Sequence, residues 1–301
     1  MESTRREKIA AQRAAERRSE QRRRILIASG SVVVVLVIVL VFVVVKLNGG
    51  KPSASSAAGL SNGPTGSSLS AVVDNVTSVP ASTLNTVGEG GGAVTGKPTT
   101  ISGSALTENG KPEMFYAGAE YCPYCAGERW AMIVALSRFG TFKGLTTVHS
   151  AVANGAGNAE PDPDTPTWTF LHATYSSPYL AFTPVELQTN IPDPSSGTYT
   201  LLQTPTKAEQ ALITKYDGST GPIPFIDFGN KYMISGVSYD PGVLDGLSWA
   251  TIATDLHDPS SPVAQAVDGT ANYITAAICK MTGNQPASAC TTTVQSLESQ
   301  I

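Results

Sequence analysis

The 301 residues could form one large domain or two small ones, and a hydrophobic content of 41% is ordinary for a globular core. The formal charge of −4 conceals two extremes: residues 1–24 carry nine Lys/Arg against four Glu, a net +5, which leaves −9 for the rest of the chain. That asymmetry argues for membrane topology and against nucleic-acid binding, because the basic segment contains no aromatic residue.

The basic segment 1–24 runs directly into 21 uncharged residues, Ile25–Val45, the length of a bilayer-spanning helix, and Lys46 closes the run. Positive charge ahead of the span puts residues 1–24 in the cytoplasm. Residues 47–301 then lie on the far side, where disulfides persist and the four cysteines read naturally as two pairs. A cleaved signal peptide is the rival reading: Ser55-Ser56-Ala57-Ala58 offers small residues for cleavage, but the apolar run exceeds the about 7–15 residues of a signal h-region. The expectation is a single-pass transmembrane anchor at 25–45 in the cell membrane. Residues 46–70, dominated by Gly, Ser, Ala and Pro, read as a flexible linker to an extracytoplasmic domain at 71–301.

Within that domain, Val72, Val73, Val76, Val79 and Leu84 suggest a short amphipathic helix broken at Pro80, followed by the Gly88–Gly92 loop and a weak strand over Thr99–Leu106. Met114–Ala119 is almost continuously apolar, as a central strand covered on both faces would be. It hands over at Cys122-Pro123-Tyr124-Cys125 to a helical pattern. Ala126, Trp130, Ile133 and Val134 form one stripe of it and Met132, Leu136 and Phe139 another, with an end at Gly140. Leu145–Val152 reads as a second strand parallel to the first. Residues 153–203 are irregular, with one strand-like run at Trp168–Tyr175, and read as an insertion long enough to act as a lid or client-facing surface. Thr206-x-x-Glu209 is a capping box for an amphipathic helix ending near Gly218. Pro224 then sits at the start of a strand, and Lys231–Gly236 returns beside it through the Gly229-Asn230 turn. Asp240-Pro241 is expected to cap a helix reaching Leu256, and Ser261-Pro262 to open a C-terminal helical hairpin over about 261–301.

The chemistry concentrates at Cys122 and Cys125. Two cysteines two residues apart, where a buried strand becomes a helix, have the geometry of a reversible dithiol/disulfide. Helix N-terminal N–H groups favour a thiolate on Cys122, the expected nucleophile, and leave Cys125, one turn further in, as the resolving thiol. Half of a zinc site is the first alternative, but His149, His172 and His257 are scattered and no four-ligand set emerges. A structural bridge is the second, yet so short a loop would stabilise little. Cys279 and Cys290 flank the turn between the last two helices and read as a structural disulfide, with a relay pair as the sharper alternative. Glu120 and Glu128 are the carboxylates nearest the dithiol and could assist proton transfer, although surface solvation is the plainer role for both. Arg129 either supports the thiolate or covers the helix end with its stem. No cofactor and no metal are called for.

The order strand, CxxC helix, strand, helix, Pro-initiated strand, strand, helix over roughly Thr99–Leu256 is similar to the thioredoxin superfamily. Cys122-Pro-Tyr-Cys125 carries the dipeptide seen in glutaredoxins, and Ile223-Pro224 matches the superfamily's cis-proline. In that superfamily the proline sits against the active disulfide and holds client backbone, the role the resemblance implies for Pro224 and Ile223. Tyr121 stands where thioredoxins have Trp, and Tyr116 where they keep a buried carboxylate. More narrowly, Gly118–Trp130, Leu136–Gly140 and Thr174–Leu180 resemble a prokaryotic membrane-anchored family known as domain of unknown function 929. The resemblance implies an α/β, thioredoxin-like fold with a large insertion and extra C-terminal helices behind a single transmembrane helix. The expected activity is thiol-disulfide exchange on exported proteins, with a membrane redox partner for recycling. The rival class is a non-enzymatic binding or scaffold module of the cell envelope that uses the insertion as its contact surface.

Overall fold

The computed structural model describes residues 63–151, 162, 164–193, 196, 198–218 and 221–301. The basic segment 1–24, the span 25–45 and residues 46–62 of the linker lie outside the described residues. Among the described residues no helix is long and apolar enough to cross a membrane.

The fold is mixed α/β, organised on β3 (Lys111–Gly118), whose residues from Glu113 onward are all buried. On one side it pairs in parallel with β8 (Ala181–Glu186), in register from Glu113↔Ala181 to Gly118↔Glu186. On the other it pairs antiparallel with β11 (Phe225–Phe228), which continues into β12 (Tyr232–Ser235) and then the two-residue β1 (Thr99–Thr100). The two-residue β2 (Thr107–Glu108) pairs with the first residues of β3. The β11–β12 hairpin closes through Gly229 and Asn230, both at positive φ, where Gly and Asn are the tolerated residues.

Strand alternation divides the core in two. Met114 and Tyr116 of β3 join Ile226 and Phe228 of β11 in a cluster with α3 (Pro123–Ser137) and α6 (Pro262–Thr282). Phe115 and Ala117 point the other way, with Phe225 and Val185, onto Leu212, Ile213 and Tyr216 of α4 (Lys207–Asp217). A sheet covered on both faces explains the unbroken apolar run, each such side chain contributing about 1.5–3 kcal/mol on burial. The α3 and α6 helices are buried nearly all round, and both carry polar residues inside, Glu128 and Arg129 on α3 and Asp268, Thr270, Asn272 and Thr275 on α6. Close approach at α6 is set by glycine: a Cβ on Gly269 would lie 2.7 Å from the Gly90 Cα. The flanking helices are α1 (Gly66–Thr77), α2 (Ala81–Val87), α5 (Trp249–Asp255) and α7 (Thr292–Leu297), seven in all among the described residues.

Four expectations are corrected here. The strand expected over Leu145–Val152 is the four-residue β5 (Thr146–His149), paired antiparallel with β6 (Pro166–Thr169) rather than parallel with β3. Its Thr and His residues suit a short ribbon, whereas β8 places Phe182 and Val185 in the two opposed clusters that the position beside β3 requires. The segment read as an insertion therefore supplies a central strand, together with β6, β7 (Thr174–Ser176), β9 (Gln188–Pro192) and β10 (Tyr199–Leu201). The single run Trp168–Tyr175 is divided between β6 and β7, and β7 pairs with β4 (Thr141–Lys143). Asp240 caps only a 3₁₀ turn, Pro241–Leu244; Gly246 at φ +70° ends it, and α5 is capped instead by Ser248. The Thr206/Glu209 box, by contrast, is formed reciprocally, with the Glu209 N–H on the Thr206 hydroxyl and the Thr206 N–H on the Glu209 carboxylate.

Candidate active site

Strand β3 ends at Gly118, and four residues later Cys122 is the N-cap of α3, with Pro123 in the first helical position. Cys122 Sγ accepts a hydrogen bond from the Cys125 N–H at 3.4 Å, and its thiol donates toward the Ile223 carbonyl at 3.6 Å. Both cysteines are free thiols. Cys122 is 5% exposed and Cys125 0%, while Tyr124 between them reaches solvent. Burial pushes the Cys122 thiol up. Hydrogen bonds from the Cys125 thiol and N–H, the charge of Arg129 and the Tyr124 N–H outweigh it, and the pKa lies below the ordinary thiol value. Burial and its hydrogen bond to Cys122 hold the Cys125 thiol well above that value. The two sulfurs are thus unequal: Cys122 is shifted toward the thiolate and Cys125 toward the thiol.

Ile223 and Pro224 form a cis peptide immediately before β11. Hydrogen bonding of the Gly236 N–H to the Pro224 carbonyl (2.9 Å) ties this corner to the end of β12. The topology thereby brings residues 101 positions apart into contact at the dithiol.

Beneath the cysteines lies a buried ion pair. Arg129, on the face of α3 one turn below Cys125, donates from Nε to Glu186 Oε1 at 3.0 Å and from Nη2 to Oε2 at 2.6 Å. Both side chains are fully buried. Glu186 also accepts from the Phe170 N–H at 3.0 Å, and its own N–H donates to Gln203 Oε1 at 2.6 Å. The guanidinium is therefore held from a strand whose last residue faces Gly118 across the parallel register. Tyr116 completes this layer, with the Arg129 guanidinium 5.8 Å from its ring centre.

The remaining expected site residues are placed differently from one another. Glu120, Glu128 and Arg129 are each 0% exposed, which corrects the solvated-surface role expected for the two carboxylates and the stem-covering role weighed for Arg129. The Glu128 carboxylate is taken up by Ser238, accepting from its N–H and hydroxyl, both at 3.0 Å. Burial raises its pKa to about 7 against those two lowering bonds. Glu120 is anchored by its N–H on the Gln188 carbonyl at 2.8 Å. Tyr121 stacks on Tyr199 of β10, with ring centroids 4.1 Å apart and ring planes nearly parallel. Glu186 was missed because it falls in the stretch read as irregular; the signal for it was the demand of a buried arginine for a carboxylate. Cys279 and Cys290 form a disulfide with Cα atoms 5.8 Å apart, at the far end of α6. Among the described residues no group of three or more His, Cys, Asp or Glu is placed to hold a metal.

A family model described as Domain of unknown function matches residues 97–280. The chain belongs to this family, DUF929. The DUF929 region contains the dithiol, Arg129, Glu186 and the Ile223–Pro224 corner, and ends one residue after Cys279, so that Cys290 and α7 follow it. No curated protein and no solved structure matches the chain.

Proposed function

We propose that this DUF929 protein is a thiol-disulfide oxidoreductase with a thioredoxin-like fold, acting through Cys122 and Cys125. The observation that carries the reading is the asymmetry of the two sulfurs at the start of α3. Cys122 accepts the Cys125 N–H and faces the cis Ile223–Pro224 corner, while Cys125 is sealed behind it. The sheet order β8-β3-β11-β12, with one parallel and two antiparallel pairings, supports the thioredoxin-like part, as does the placing of helices on both faces.

In the reductive direction the Cys122 thiolate attacks one sulfur of a client disulfide. A Cys122–client bond forms, the client S–S bond breaks, and one client thiolate leaves. Cys125 then loses its proton and attacks Cys122 Sγ. The mixed disulfide breaks, the second client sulfur leaves and takes up a proton, and the enzyme carries the Cys122–Cys125 disulfide. The reverse sequence oxidises a dithiol client. Ile223 and Pro224 form the wall along which client backbone lies. The proposed setting is extracytoplasmic, with residues 25–45 as the membrane anchor, exported proteins as clients and a membrane redox partner restoring the starting state.

Cys125→Ser tests this directly. In the full-length protein expressed in cells it should accumulate mixed disulfides with exported proteins, released by dithiothreitol, and the wild type should reduce insulin. Absence of both trapped species and activity would overturn the proposal and leave an envelope binding module built on the same fold.

A further inference from the structure

Resolution of the mixed disulfide requires a thiolate on Cys125, a sulfur with 0% exposure. An unsolvated anion there is costly unless donors meet it. Two donors in the same layer have no hydrogen-bond partner among the described residues: the Tyr116 hydroxyl and Arg129 Nη1. Buried donors are seldom left unpaired, so each calls for an acceptor that is absent in the thiol state.

Gly118 identifies that acceptor. A Cβ built there would collide with the Tyr116 hydroxyl and lie 3.1 Å from Cys125 Sγ, so the hydroxyl and the sulfur border one small space that only glycine leaves open. Arg129 approaches from the same helix face, four residues after Cys125, and its Nε and Nη2 are already committed to Glu186. Nη1 is left uncommitted, on a guanidinium whose charge is felt at Cys125. Burial holds the Tyr116 hydroxyl well above the ordinary phenol range, with the nearby Arg129 charge acting against it, so the group stays a donor.

We propose that Tyr116 Oη and Arg129 Nη1 form a donor pair for the Cys125 thiolate during resolution, with Glu186 holding the guanidinium in place and Gly118 keeping the space open. All four act as positioning residues; Cys125 remains the reacting group. The charged and titratable groups around the sulfur are Cys122 and Arg129 on its own helix, Tyr116 on β3, and Glu186 on β8 behind Arg129. This inference rests on the oxidoreductase reading.

The test is stopped-flow reaction of the full-length protein with a symmetrical nitrobenzoate disulfide. The Cys122 thiolate releases a first equivalent of coloured thiolate on forming the mixed disulfide, and Cys125 releases the second on resolving it. Tyr116→Phe should slow the second release by about tenfold and move its pH midpoint upward, leaving the first release within about twofold, because a hydrogen bond to a charged group is lost. Its thermal stability should be equal to or above wild type, since an unpartnered hydroxyl is removed. Arg129→Met alone would strand a buried Glu186 and endanger folding, so the pair is replaced together as Arg129→Met/Glu186→Met. That variant should slow the second release by more than Tyr116→Phe does. Two releases in wild type with unchanged second rates and pH midpoints in the folded variants would overturn the donor pair alone. A wild type that releases no second equivalent would overturn the oxidoreductase reading, and this inference with it.

Discussion

The two cysteine pairs are both buried, yet they occupy opposite ends of their helices. Cys122 caps the N-terminus of α3, where N–H groups and a cation below favour a thiolate. Cys279 lies in the last turn of α6, where free carbonyls disfavour one, and it is joined to Cys290 across the turn into α7. Burial alone therefore does not separate the two pairs, one a free dithiol and the other a disulfide. What separates them is the end of the helix each pair occupies and the hydrogen bond from Cys122 to the Ile223 carbonyl at the cis corner.

The largest expected effect breaks the comparison outright. Cys122→Ser should reduce insulin-reducing activity to background, whereas Cys279→Ala/Cys290→Ala should keep activity at low temperature while lowering stability to denaturant by about 2–4 kcal/mol. Equal loss of activity in both variants would turn the second pair into a relay. Next, mass-shift alkylation across a dithiothreitol series should find Cys122 and Cys125 reduced at a much lower ratio of reductant than Cys279 and Cys290. Simultaneous reduction of all four would remove the distinction.

A smaller effect tests what α3 carries besides the dithiol. Glu128 titrates at about 7 against an ordinary value of 4.5, because burial favours its protonated form. The folded protein therefore binds a proton that the unfolded chain has released between those values. The Glu128 contribution to stability should fall as pH rises from about 4.5 to 7, a total on the order of 3 kcal/mol. Asp227, raised to about 6 by burial, adds a slope of the same sign. Glu128→Gln should make the fall shallower in chemical denaturation measured across that range, with disulfide exchange unchanged. The smallest effect is on the staple's own helix. Ser261→Ala removes the side-chain cap on the Ala264 N–H (2.9 Å) and should cost about 1 kcal/mol in thermal unfolding, without altering exchange.

Much of the local structure was legible. Cys122-Pro123 at a strand–helix junction, the Thr206/Glu209 box and the Ser261-Pro262 start each state their element within a few residues, because capping is a local hydrogen-bond problem. The β8 strand was not legible. Its Ala181-Phe-Thr-Pro-Val-Glu186 pattern carries a proline and mixed polarity, and only its pairing with β3 makes it central. Glu120, Glu128 and Arg129 failed for a related reason: charged side chains on a helix read as solvated until a partner from another segment is known, and Ser238 lies 110 residues from Glu128.

By itself the sequence determined that a CxxC pair caps a helix behind a buried strand, that a proline opens the later strand, and that the second cysteine pair flanks a turn. These follow from propensity, capping and spacing, which act within a few residues. Only the tertiary structure decided which strand lies beside β3, that Ile223 meets Cys122, and that Arg129 is locked by Glu186 under the sulfurs. Those contacts join segments 57 and 101 residues apart, and a buried charge finds its partner through the packing of the whole sheet rather than through neighbours in the chain.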